Sequence, residues 1–501
     1  MSLRILEIGE EFVDYLRDES RRAGHADKIT FPASTEDVRE ALNLATENGW
    51  PVTVQGGRTG ITGGCVPEGG LILNLSRMNT IGPVHGECMK VQPGALLAEI
   101  RTALEGSGLF FPSDLTETTA SIGGMVANNA SGARSFKYGA VRNWIHGLEV
   151  VLSNGEKVRL TREKNQAEGL FFKIGDVLGS LPDLSHLRRC DKVKSAAGYY
   201  IQRDMDLIDL FIGAEGTLGV VTEITIKLLP RPEQINGLTA FFASEAKALE
   251  FVRYLRMKTT LESTSATTGG SPASGEGVPV LPSAIEFFDR NALGFLRCMK
   301  QENPAFSELP ELRPDFHTAI YFEYDHEVPD SIVGQAEEAL ECWFAEGDRE
   351  IELLKKFRHA IPEAVNLLIA ERKKTIPELT KLGTDMSVPD QWLEAVMQMY
   401  HSDLAEAGLE YVIFGHIGNN HVHVNILPRS MDEYEQGRRL YLGWAKQVVE
   451  WGGSVSAEHG IGKLKPEFLE VMFGPGGIQQ MRALKALFDP AGLLNPGNLF
   501  S

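Results

Sequence analysis

Residues 112–139 read PSDLTETTASIGGMVANNASGARSFKYG, and 17 of these 28 are Gly, Ala, Ser, Thr or Asn. Side chains this small bury little apolar area, so the segment cannot be held by its own packing. It exposes instead many backbone N–H groups, short hydroxyls and amides, and its glycines let the backbone approach a ligand closely. Such a ribbon suits wrapping round a large, flat, polar partner that carries a pyrophosphate. A second ribbon, Gln55-Gly56-Gly57-Arg58-Thr59-Gly60-Ile61-Thr62-Gly63-Gly64, follows the strand-like Pro51-Val52-Thr53-Val54. Either one alone reads equally well as a tight turn or a flexible loop. Two of them, each flanked by ordered-looking segments, favour a cofactor cradle.

Outward from the ribbons the chain alternates helices and strands. Residues 36–50 carry a helical pattern with Ser34-Thr35 as caps. Val91-Gln92-Pro93-Gly94-Ala95 runs into a predicted helix, LLAEIRTALEGSG. The strands LEVVLSN and EKVRL are joined by the hairpin signal Asn154-Gly155. The loop Gly213–Gly219 leads into an alternating strand that ends at Pro230 and Pro232, where the first domain boundary is placed. Residues 258–283 are rich in Thr, Ser, Gly and Pro and read as an exposed insertion or mobile loop. The remainder alternates as an α+β domain.

The 501 residues are too many for one core, so two or three domains are expected. A net charge of −19 argues against nucleic acid and against electrostatic docking on anionic lipid. An anionic substrate would then need a local basic site. The N-terminus lacks the apolar stretch of a signal peptide, and no apolar run reaches a membrane span. The five cysteines are scattered and never form Cys-x-x-Cys, which disfavours disulfides and a thiolate metal site. A reducing cytoplasm is the expected location, with peripheral contact at the inner membrane face as a variant.

Near the C-terminus, residues 411–427 read YVIFGHIGNNHVHVNIL. From His421 onward the period is two, which puts His421, His423 and Asn425 on one strand face. A turn at Gly418-Asn419-Asn420 brings His416 back beside His423. Ser456-Ala457-Glu458-His459-Gly460-Ile461-Gly462-Lys463 follows some thirty residues later. Imidazoles with a carboxylate suit a divalent ion such as zinc. A set of hydrogen-bonded histidines fits the spacing as well, and both readings stay open at this point.

These segments together resemble the FAD-linked oxidases of the vanillyl-alcohol-oxidase and p-cresol-methylhydroxylase superfamily. They are similar to its D-2-hydroxy-acid dehydrogenase branch, which holds the D-lactate and D-2-hydroxyglutarate dehydrogenases and the glycolate-oxidase flavin subunit. The motifs are GGRTGITGG, PGALLAEI, FPSDLTETTASIGGMVANNASG, GAEGTLGVVTEITIKLLP, HIGNNHVHVN, AEHGIG and LFDPAGLLNP. The resemblance implies a PCMH-type FAD-binding domain of two subdomains at 1–232. It implies an α+β, ferredoxin-like substrate domain at 233–470 and a segment at 471–501 that returns to the FAD domain. FAD contacts are implied at Gly56, Gly57, Arg58, Thr59, Gly60, Pro93, Gly94, Pro112, Thr118, Gly123, Gly124, Asn128, Ser131 and Gly139. Further contacts are implied at Gly216, Gly219, Val220, Ile224 and Asn495. The first ribbon contains no His of the kind that tethers FAD in some relatives, so noncovalent FAD is expected.

The resemblance further implies that His416, His423 and Glu458 bind the divalent ion, zinc being preferred. His459 is implied as general base, Asn425 as a substrate contact and Arg358 as the carboxylate clamp. The family usually reads Gly-Asp-Gly-Asn where this chain has Gly418-Asn419-Asn420-His421, and His421 is read as a surface residue rather than an extra ligand. Positions that bind a distal carboxylate in the hydroxyglutarate branch correspond to Pro362 and Gly383, with Lys381 or Arg372 as substitutes. The implied activity is oxidation of a D-2-hydroxy acid to the 2-oxo acid by hydride transfer to flavin N5. The electron acceptor is expected to be a quinone, a partner protein or oxygen, and a homodimer follows by analogy. Two other readings remain: a non-redox transferase like alkylglycerone-phosphate synthase, and an electron-carrying flavin subunit of a larger complex.

Overall fold

The computed structural model describes residues 3–113, 115–184, 193–263, 281–336, 338–346 and 348–500. The chain divides into two compact units. The first takes residues 1–132, 139–231 and 454–501, and the second takes 133–138 and 232–453. The sequence expectation assigned only 471–501 to the returning segment, and the division begins it at Ser454. The expectation also kept the whole of residues 112–139 in the FAD domain, whereas Ala133–Tyr138 belongs to the second unit.

The first unit holds two α/β subdomains. A four-stranded sheet is ordered Ile5–Glu7, Lys28–Thr30, Leu71–Asn74, Val52–Gln55, its last three strands mutually parallel. The helix Thr35–Asn48 lies on its core through Val38, Ala41, Leu42 and Ala45. Ser34 caps this helix by accepting the Asp37 N–H, and Gly49 ends it in the left-handed conformation at φ 64°. The second sheet has five antiparallel strands, ordered Ile81–His85, Cys88–Val91, Val220–Lys227, Ile145–Val151, Lys157–Thr161. The predicted Asn154-Gly155 hairpin joins its last two strands.

The predicted helix over residues 96–108 is shorter, Leu97–Ala103. Gly106 and Gly108 follow at φ 75° and 73°, a backbone that does not propagate a right-handed helix.

The second unit is built on a seven-stranded antiparallel sheet. Its order is Glu341–Glu346, Asn236–Phe242, Thr318–Tyr324, Ala284–Phe288, Tyr411–Gly415, His423–Ile426, Leu382–Gly383. Helices Arg290–Glu302 and Asp348–Lys373 pack on it through a core that includes Phe241, Phe288, Phe316 and Phe357. Of the predicted insertion at 258–283, residues 258–263 complete the helix Glu245–Ser263, and 264–280 lie outside the described residues. Cys65, Cys88, Cys298 and Cys342 are free thiols. No helix among the described residues is long and apolar enough to cross a membrane.

Candidate active site

In the first unit the two ribbons are stitched to each other. Ser121 is the hinge of this arrangement. Its hydroxyl accepts the Gly57 N–H at 3.1 Å and, as cap of the helix Ile122–Ala127, the Gly124 N–H at 3.3 Å. Gly123 donates to Pro93 O at 2.8 Å, and a Cβ on Gly123 would stand 2.8 Å from that oxygen. Gly57 and Gly60 are exposed, while Pro112 and Ser131 are buried. Thr118, Asn128 and Gly139 are half-buried, and the Asn128 amide donates to Gly124 O at 2.9 Å. Arg58 takes a left-handed φ of 59° and lays its guanidinium over Tyr15, 4.3 Å from the ring centroid. Val220 and Ile224 are buried on the central strand of the five-stranded sheet, Ile224 facing Val91 and Leu148.

Asn495 closes the cradle from the C-terminal segment. Its amide accepts the Val54 N–H at 2.7 Å and donates to Glu215 O at 2.7 Å. A Cβ on Gly216 would stand 2.4 Å from the Asn495 amide nitrogen. Buried hydroxyls at Ser113 and Ser131 have no hydrogen-bond partner among the described residues. Buried polar atoms are normally satisfied, and a bound polar ligand could satisfy these two.

The loop Ala457–Lys463 is also part of the first unit. The Thr62 hydroxyl donates to His459 O at 3.4 Å, and Lys463 N donates to Thr62 O at 3.0 Å. His459 Nε2 stands 3.4 Å from Glu458 Oε1, and Lys194 Nζ donates to Glu458 Oε2 at 2.5 Å. Glu215 holds the loop through the N–H groups of Ile461 and Gly462, at 2.7 and 2.8 Å. Burial holds the Glu215 carboxyl above the usual carboxylate range, and these N–H groups offset that only in part. Lys194 and Glu215 were not singled out in the sequence. Glu215 had a signal, an acid inside a glycine loop, whereas nothing local marks Lys194.

In the second unit the chain reverses after the strand Tyr411–Gly415 in a single turn, Ile417–Asn419, with Asn420 left-handed at φ 51°. His416, His421 and His423 thereby meet, each offering a ring nitrogen within 4.8 Å of the others. Each imidazole is backed by an oxygen. His416 Nδ1 lies 2.6 Å from Glu286 Oε1, and His423 Nδ1 lies 2.9 Å from Thr384 O. A carbonyl only accepts, so His423 donates from Nδ1, which leaves Nε2 as the nitrogen a metal could take. His421 Nε2 stands 3.2 Å from Asp385 Oδ1. The surface reading of His421 is overturned: it is 0% exposed. Its strand assignment also shifts, because the strand begins at His423.

Arg358 Nε lies 3.5 Å from Glu286 Oε2, so Glu286 links Arg358 to His416. Asn425 is buried on the strand that carries His423. A further buried cluster, missed in the sequence, pairs Arg134 with Glu323 at 2.8 Å, with Tyr321 donating to the same carboxylate. Arg372 is engaged by Glu410 at 2.6 Å and by Leu427 O, and Lys381 donates to Asn366 at 3.0 Å. A surface cleft of about 570 Å³, lined by Glu245, Leu249, Glu394 and His401, holds none of the expected residues.

Residues 26–161 match the FAD binding domain family, and residues 277–499 match the C-terminal domain of FAD linked oxidases. The glycolate oxidase subunit GlcD of Bacillus subtilis (strain 168) is 29% identical over 95% of this chain and 89% of that protein. The D-lactate dehydrogenase of Anaerostipes hadrus is 29% identical over 98% and 94%. The D-2-hydroxyglutarate dehydrogenase of Stutzerimonas stutzeri (strain A1501) is 29% identical over 94% and 90%. An alkyldihydroxyacetonephosphate synthase structure shares the fold, with a TM-score of 0.63 and 16% identity over 98% of this chain and 82% of that one. The stitched glycine ribbons, the imidazole cluster and these likenesses agree, and the chain belongs to the FAD-linked oxidases, in the branch that holds the D-2-hydroxy-acid dehydrogenases and the glycolate-oxidase flavin subunit.

Proposed function

We propose that this oxidoreductase converts a D-2-hydroxy acid to the 2-oxo acid. The observation that carries the reading is the cluster of His416, His421 and His423, with an oxygen near each ring. Carboxylate- or carbonyl-backed imidazoles are how proteins orient ligands to a divalent ion of borderline softness, zinc first. Among these, His416 and His423 would hold the ion, with Glu458 added by the family resemblance. Bound FAD supplies the hydride acceptor, and a bound ion supplies Lewis-acid polarisation of the hydroxyl and carboxylate.

The remaining work falls to the chain's own residues. His459 takes the proton of the substrate hydroxyl, because imidazole is the side chain suited to proton uptake near neutral pH. Arg358 contacts the substrate carboxylate and fixes the reacting face. Asn425 hydrogen-bonds the bound acid. FAD is held without a covalent bond by the two ribbons, whose unpartnered Ser113 and Ser131 hydroxyls support that role.

Pro362 and Gly383 stand where the hydroxyglutarate branch binds its distal carboxylate, which supports a short acid such as D-lactate over one with a second carboxylate. Anaerobic titration with D-lactate, D-2-hydroxyglutarate, D-malate and glycolate tests the reading. D-lactate is expected to bleach the flavin. If none of the four does, the redox function fails and the non-redox transferase reading takes its place.

A further inference from the structure

The turn that reverses the chain does more than bring His416 to His423. Asn420, at its left-handed position, is tied by the Arg256 guanidinium at 2.6 Å and by its own amide to Asp390 at 2.6 Å. Pinned there, the backbone delivers the next residue inward, and His421 pairs as an isolated bridge with Ser387. Its ring centroid is 4.5 Å from that of His423 and 5.4 Å from that of His416. Burying an imidazole completely is costly unless its polar atoms are matched. The acid beside it is Asp385, itself 0% exposed, its Oδ1 3.2 Å from His421 Nε2. The family pattern to which the sequence is similar usually has Asn at this place.

We propose that His421 is a third imidazole ligand to the ion, beside His416 and His423. The second unit then offers a three-imidazole set by itself, and Asp385 acts as a positioning residue that orients the His421 ring. This rests on the reading of the cluster as a metal site. It carries a consequence for selectivity. Nitrogen-rich sites favour zinc, cobalt or nickel over manganese and magnesium, which prefer oxygen donors.

The test uses the full-length, FAD-loaded protein, stripped with a chelator and titrated with Zn²⁺ or Co²⁺. Wild type is expected to take up one ion per chain and to prefer Zn²⁺ over Mn²⁺ in competition. His421→Asn is expected to bind at least ~10-fold more weakly and to change the visible absorption of bound Co²⁺, while flavin content is kept. Asp385→Asn is expected to weaken binding with a smaller spectral change. X-ray absorption on zinc-loaded wild type gives a reading that needs no variant, with three imidazoles expected in the first coordination shell. Wild-type affinity and an unaltered cobalt spectrum in His421→Asn, or two imidazoles in the absorption data, overturn the third-ligand assignment and leave the two-histidine site standing. A wild-type chain that takes up no ion overturns the metal reading altogether.

Discussion

His459 and Asp289 show what single side chains contribute. His459 is proposed to remove the hydroxyl proton, and general bases typically contribute 10²- to 10⁴-fold in rate. His459→Ala is therefore expected to slow substrate-dependent flavin bleaching by about that factor while FAD stays bound. Bleaching at the wild-type rate excludes the assignment. Asp289 lies outside the proposed chemistry. It caps the helix Arg290–Glu302 by accepting the Ala292 N–H at 2.7 Å, and its other oxygen is buried without a hydrogen-bond partner among the described residues. Burial pushes its carboxyl up to about 7, against the pull of the Ala292 N–H. Between pH of about 4 and 7 the unfolded chain has released this proton and the folded chain keeps it. Stability therefore falls as pH rises through that window, by at most about 1.4 kcal/mol per pH unit. Asn caps as well as Asp but does not ionise, so the urea midpoint of Asp289→Asn is expected to fall less steeply there. Matching slopes in the two proteins exclude a buried titration at this position.

Ser121 carries two jobs at the scale of an element, capping the helix Ile122–Ala127 and holding the first ribbon through the Gly57 N–H. Ser121→Ala is expected to lower stability by about 1 kcal/mol through the cap and to weaken FAD binding through the loosened ribbon. Urea unfolding and a flavin-fluorescence titration separate the two effects, and unchanged FAD affinity refutes the second. The small residues of this stretch marked a ribbon in the sequence but not the short helix Ile122–Ala127 within it. The helix at 35–48 was legible from its Ser34 cap and its pattern, although the expected 36–50 overran Gly49, whose left-handed φ of 64° ends it. Alternation of His421, His423 and Asn425 gave a face but not a starting point. A period-two signal cannot say that the strand begins at His423, and the surface reading of His421 rested only on its standing where the family usually has Asn. The backing oxygens Glu286, Thr384 and Asp385 and the partner Lys194 lie far away in sequence. Only folding shows them.

For the whole molecule, the cofactor is expected to act as a folding ligand. Anything that binds the native state alone stabilises it, by about 2.7 kcal/mol at a concentration a hundredfold above Kd. Apoprotein is expected to melt lower than the FAD-loaded form and to recover on adding FAD, and a melting temperature that ignores FAD contradicts the cradle. The chain does not build this cradle in order. Val52 N donates to Leu493 O at 2.7 Å, and Asn495 N donates back to Val52 O at 2.8 Å, so a strand laid down near residue 52 is completed by residues near 494. On the ribosome the intervening unit emerges and can compact while its host still lacks an edge. Nascent chains stalled before Leu493 should thus stay protease-sensitive over residues 1–132 and fail to retain flavin, and both properties should change only once the last segment clears the exit tunnel.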